Sequence, residues 1–149
     1  MSTTTRKAPK VRKDALGTDA AVADLVARFE AGTLPAGRFT HRAHLAVAAS
    51  YLRDRPFPQA LDRVRTYIQL FNNRCGTREG YHETVTVVFL RAVAAYLEAH
   101  PGVGVAAAVP ELAAAYDMTW VRRFYSPEVL VSAEAKAGWV KPDVAPVEF

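Results

Sequence analysis

From Thr18 onward, apolar residues return every three or four positions, and each such run is closed by glycine, proline or a polar cluster. Thr18 is placed to cap a first helix whose apolar positions are Ala21, Val22, Leu25, Val26 and Phe29, ending near Gly32. The connector "GTLPAGRF" follows. Thr40 is the natural N-cap of a second helix, with Phe39 folding back as a staple, and "RDRPFP" breaks it after about Arg53. Pro58 suits the first turn of a third helix, whose core face is Ala60, Leu61, Val64, Tyr67, Ile68 and Phe71 and which ends at "NNRCG". A fourth helix is predicted from about Gly80 to Ala99, stopped by "HPG". Its interior, Val85 to Leu97, is apolar on most sides and is therefore expected at the centre. A fifth covers Ala106 to Tyr116, with Pro110 expected beside its true start. "DMTWVRRFYSPEVL" suits one or two short helices, the second capped by Ser126. The proline-rich "GWVKPDVAPVEF" is expected to lie extended against the body through Trp139 and Phe149. There is no repeat and no strand signal. The expectation is an all-α, compact single-domain bundle of five to six helices with an extended C-terminal tail.

Composition narrows this reading little. A chain of 149 residues that is 50% hydrophobic and 23% charged is ordinary globular material, long enough for one domain with a real core. Heavy use of alanine and arginine over lysine reads as a high-GC bacterial coding bias. No apolar run approaches the roughly 18 to 20 residues of a membrane span, and the N-terminus has no apolar signal core. The single cysteine, Cys75, rules out an internal disulfide and fits a reducing, cytoplasmic setting. The net charge of +4 belongs to residues 1–15, where Arg6, Lys7, Lys10, Arg12 and Lys13 face Asp14 alone. The rest of the chain is balanced. The tail therefore reads as a disordered basic leader, and nucleic acid is not the expected partner.

The chemistry concentrates at two helix starts. His41 and His44 lie three apart in the opening turns of an otherwise apolar helix, so they share a side of it. Tyr81, His82, Glu83, Thr84 and Thr86 crowd the start of the fourth helix, an unusual use of a position predicted to be central. Three imidazoles, His41, His44 and His82, are candidate ligands for a divalent metal (Zn²⁺, Fe²⁺, Ni²⁺ or Co²⁺), with Glu83 as fourth ligand or general base. The positive end of each helix dipole argues partly against a cation and would instead attract a substrate anion. A metal-free acid–base pocket, with His82 or His44 as base oriented by Glu83, is therefore a second reading. A third is that the histidines only complete hydrogen bonds of the core.

In "TWVRRFYSPEVL", Arg122 or Arg123 would clamp an anion and Tyr125 donate a proton. The plainer reading makes Trp120 and Phe124 core and pairs the arginines with Glu111 or Glu128. His100 reads as a C-terminal cap, and Cys75, alone in a turn, as incidental.

Three blocks, "F.....LP...FTHRAHL", "YHET.T..FLR" and "FYSPE.L.S.EA..GWV.PD..P", taken in order from Phe29 to Val147, resemble a group of small, uncharacterised bacterial helical proteins. The resemblance implies a single domain and places His41, His44, Tyr81, His82, Glu83, Thr84, Tyr125 and Ser126 in shared motifs. It implies no particular activity. The ending "APVEF" departs from the Leu-Pro ending of that group.

The leading expectation is a small cytoplasmic enzyme acting on a small polar metabolite through a His/Glu site. His41, His44 and His82 are its metal ligands, Glu83 and His82 its acid–base groups, and Tyr81 and Tyr125 orient substrate. The alternative is a non-catalytic protein that holds a small anion at two helix N-termini with Arg42, Thr84, Arg122 or Arg123. A partner-binding module whose basic tail recruits an acidic protein or nucleic acid is a third, and the apolar face from Val103 to Val109 suits a homodimer.

Overall fold

Each long helix has at least one end at which a neighbouring residue satisfies exposed backbone groups. The computed structural model describes residues 16–77 and 80–149, so the basic leader lies outside the described residues. Helix α1 (Asp19–Ala31) is capped by the Thr18 hydroxyl, which accepts from the Ala21 N–H at 3.1 Å. It closes at Gly32, whose φ of 77° is a left-handed conformation that glycine adopts without strain. After a 3₁₀ turn at Ala36–Arg38, α2 (His41–Asp54) is capped by Thr40 and α3 (Phe57–Cys75) opens on proline. Helix α4 (Glu83–Ala99) starts about three residues later than the sequence suggests, because His82 itself serves as its N-cap.

Helix α5 (Val105–Ala115) has Gly104 at its N-cap, and the cap is supplied from α1: Asp19 Oδ1 accepts the Ala106 N–H at 2.9 Å. A Cβ on Gly104 would stand 2.9 Å from Asp19 Oδ2, so a larger residue here would have to push the carboxylate aside. Pro110 lies inside α5 rather than beside its start. The helix runs through it because Ala106, Ala108, Val109 and Leu112 are buried, chiefly against α2, and that packing outweighs one lost backbone bond. The Val103–Val109 face is thus largely spent within the chain.

The hub of the bundle is α2, which packs against α1, α3, α4 and α5. The sequence put α4 there, because α4 is the more continuously apolar. What selects α2 is smallness: Ala43, Ala46, Ala48 and Ala49 are all buried, and short side chains let four neighbours come close. Helix α4 instead divides two cores. One face joins the main cluster through Leu90, Val93 and Leu97. The other presents Val88 and Ala92 to Trp120, Val121 and Tyr125.

A 3₁₀ turn (Trp120–Arg123) and two short helices, α6 (Pro127–Leu130) and α7 (Ala133–Ala137), complete the second core, with Ser126 and Ser132 as caps. The sequence anticipated α6 with its cap but not α7. The extended tail docks through Val140 and Val147; Trp139 and Phe149, the expected anchors, are 46% and 54% exposed. There are no strands among the described residues, and none of their helices is long and apolar enough to cross a membrane.

Candidate functional site

Helices α2, α3 and α4 diverge around a half-open cavity of about 570 Å³, with Met118, Val121, Arg122 and Leu130 along its remaining side. Its walls are mostly aliphatic and aromatic. Its polar positions are His41, His44, Asn72, Tyr81, His82 and Thr86, with the exposed Arg122 beside them. No Asp or Glu lines it among the described residues.

His44 owes its place to the Thr40 cap, which fixes where α2 begins and therefore which side of the helix the fifth residue of that motif takes. Its ring stacks on Phe39, centroids 3.7 Å apart and 21° from parallel, and Phe39 in turn stacks on Phe29. The staple expected of Phe39 thus becomes a shelf for the imidazole. His44 lines the cavity and is exposed despite the stacking. Desolvation by the many atoms crowded round the ring, reinforced by neighbouring His41, lowers the His44 pKa from 6.5 to about 4, so the ring is neutral at pH 7. Neither ring nitrogen has a hydrogen-bond partner among the described residues, whose side-chain bonds involve the other three histidines.

His41, one turn earlier, donates from Nε2 to the Tyr116 carbonyl at 2.8 Å and meets Phe89 edge-on at 5.6 Å. In the neutral ring this leaves a lone pair at Nδ1. His82 is different. Its Nδ1 accepts the Val85 N–H at 3.2 Å and its Nε2 donates to the Leu130 carbonyl at 2.7 Å, so both nitrogens are spent. A three-histidine metal set would require His82 to give up the α4 cap and its hold on α6. Among the described residues, no group of three or more His, Cys, Asp or Glu side chains is gathered as a metal site.

Glu83 points about 100° away from His82, as 3.6 residues per turn requires, and faces α3 instead of the cavity. Arg65 donates to both of its oxygens and the Tyr81 hydroxyl donates to Oε1 at 2.6 Å. The Arg65 bond holds the Glu83 carboxyl below the usual range, with Tyr81 adding to the effect and burial opposing it. Burial and the bond to Glu83 push the Tyr81 hydroxyl up. The carboxylate therefore pins the Tyr81 wall of the cavity and does not orient an imidazole.

Thr84 and Tyr125 are fully buried away from the cavity. The Thr84 hydroxyl lies within bonding distance of the carbonyls of Ala135 (2.8 Å) and Gly138 (2.9 Å) and accepts the Val140 N–H at 3.1 Å. Tyr125 donates to the Val140 carbonyl at 2.7 Å; burial and Asp143 raise its pKa to about 12. Arg42 and Arg123 are exposed and do not line the cavity. Neither Arg122 nor Arg123 forms an ion pair among the described residues, and Glu111 accepts from the Tyr96 hydroxyl. His100 caps α4, stacked on Tyr96.

The cavity thus gathers His41, His44, Tyr81, His82 and Arg122 of the residues expected from sequence, and leaves out Glu83, Thr84, Tyr125, Arg42 and Arg123. Asn72 was missed, although it continues the Val64–Ile68 stripe of α3 at a spacing of four, which marks the same face. Met118 carries no sequence signal of this kind. No protein-family model matches the chain, and neither a curated protein nor a solved structure does.

Proposed function

We propose that the protein binds a small, largely apolar organic molecule in the cavity between α2, α3 and α4, with His44 as the polar group that engages it. One observation carries this reading: a neutral imidazole with no protein partner faces a cavity of about 570 Å³, a volume typical of small-molecule sites. The imidazole is accessible and the protein spends neither of its nitrogens, so a molecule that enters can give a hydrogen bond to one and accept from the other. The lining favours a more apolar molecule than the polar metabolite expected from sequence. Turnover would have to draw its proton acceptor from His41 or His44, since Glu83 is committed to Arg65 and does not line the cavity.

The test uses N-phenyl-1-naphthylamine, an uncharged probe that fluoresces in apolar surroundings. Saturable one-to-one binding is expected in the parent, abolished by Ala48→Phe or Val85→Trp with helical content unchanged. Absence of saturable binding, or binding that both cavity-filling variants retain, overturns the reading. A metal-assisted version would rest on His41 and His44 alone. Near-stoichiometric metal in tag-free protein, lost in His44→Ala, would favour it over the metal-free one.

A further inference from the structure

Counting hydrogen-bond donors in the cavity narrows the ligand further. Tyr81 spends its phenolic hydrogen on Glu83. Thr86 spends its hydroxyl hydrogen on the His82 carbonyl at 2.8 Å. His41 spends its Nε2 hydrogen on the Tyr116 carbonyl, and His82 has nothing left at either nitrogen. Three of these four side chains have given their hydrogens to the protein and keep only lone pairs. His44 has one hydrogen to offer and the Asn72 amide two, and each is also an acceptor. Five lining side chains apart from Arg122 can thus accept, namely Tyr81, Thr86, His41, His44 and Asn72, whereas only the last two can donate. Arg122, the one cationic side chain of the lining, is exposed, as His44 is, and water screens its charge.

We infer that the cavity selects an uncharged molecule with an apolar body and at least one hydroxyl or N–H donor, and discriminates against carboxylates. This rests on the cavity being a ligand site. A carboxylate brings only lone pairs to a surface already supplied with them, and loses its hydration on entry. A hydroxyl brings the missing hydrogen. This is the reverse of the anion site expected from the two helix N-termini, where Thr40 and His82 already occupy the cap positions.

Three naphthalenes of nearly equal size separate the possibilities: 2-naphthol, 2-methoxynaphthalene and 2-naphthoate, titrated calorimetrically into the full chain at pH 7.5, with Val85→Trp as the control for location. The expected order is 2-naphthol tightest. 2-Methoxynaphthalene, which lacks the donor, binds about tenfold more weakly, and 2-naphthoate at least as weakly as the ether. In His41→Phe the advantage of naphthol over the ether shrinks. If naphthoate binds best, or if the ether equals the naphthol, the donor rule is overturned while the cavity stands as a ligand site. If all three bind Val85→Trp as they bind the parent, or none binds the parent, the cavity reading itself fails and the donor rule falls with it.

Discussion

Arg65 grips Glu83 with two parallel hydrogen bonds, Nε to Oε1 at 3.0 Å and Nη2 to Oε2 at 2.6 Å, and so ties the middle of α3 to the first residue of α4. A two-pronged guanidinium–carboxylate contact is directional as well as charged, and here the carboxylate is only 12% exposed. Glu83→Gln should cost about 1–2 kcal/mol at pH 7 by urea denaturation. The folded carboxyl titrates below its unfolded value of about 4.3, so its stabilisation is present above that pH and lost as pH falls through the folded value. Parent and variant should therefore converge in acid. A gap that persists unchanged at pH 2 would show that the charge is not what stabilises the pair.

His82 is predicted to be a structural residue. His82→Ala removes the cap of α4 and the bond to Leu130, and should cost about 1–2 kcal/mol. His82→Asn restores a good cap and should recover part of that loss. Thermal melts decide the point: an asparagine variant no more stable than the alanine one would sink the capping role. Probe binding to His82→Asn should stay close to that of the parent.

The pH dependence of His44 has the opposite sign to that of a salt-bridged histidine. Its folded pKa, about 4, lies below the unfolded 6.5, so the unfolded chain takes up the proton first. Stability should be unaffected by this group above about pH 6.5, fall as pH drops towards 4, and level off below. His44→Phe keeps an aromatic ring on Phe39 and should remove that slope. An NMR titration placing the His44 ring near its ordinary value would contradict the prediction.

Thr84→Val keeps the shape of the side chain and deletes its hydroxyl, leaving the Val140 N–H and two nearby carbonyls to find other partners. A loss of about 2–3 kcal/mol is expected, with Thr84→Ser much milder. Exchange of the Val140 amide should accelerate in the valine variant more than that of amides in α1. Uniform acceleration would mean that the hydroxyl does not hold this segment in particular.

What the sequence revealed was what depends on near neighbours. Thr18, Thr40 and Ser126 each cap the residues just beyond them, and all three are legible from residue type and the apolar run that follows. His82 caps just as locally, but a histidine cap is uncommon, so its imidazole reads as chemistry. The partners of Glu83 and Thr84 depend on which face of α4 meets which neighbour, and that is decided by helices 18 and more than 50 residues away. The exchange of places between α2 and α4 has a similar origin. Hydrophobicity marks which residues avoid water, whereas the alanines of α2 decide how many helices can crowd round it. His41 and His44 were readable as a pair, but not that one would stack on Phe39 and find no hydrogen-bond partner while the other bonds to Tyr116.

The contacts of Thr84 span 51 to 56 residues of chain, fewer than the 75 between His41 and Tyr116 or the 87 between Asp19 and Ala106 in the main core. Loop-closure entropy therefore gives the main core no lead over the C-terminal one in a chain that refolds whole. Synthesis is different, because Trp120 to Val147, which cover the Val88–Ala92 face of α4, are made after it. A growing chain would pass through a sticky stage that ends only when those residues arrive. Pulse-labelled amide exchange on the refolding full chain should show Val88 and Val140 protected together; Val88 protected well ahead of Val140 would mean that the helical core leads even in the whole chain.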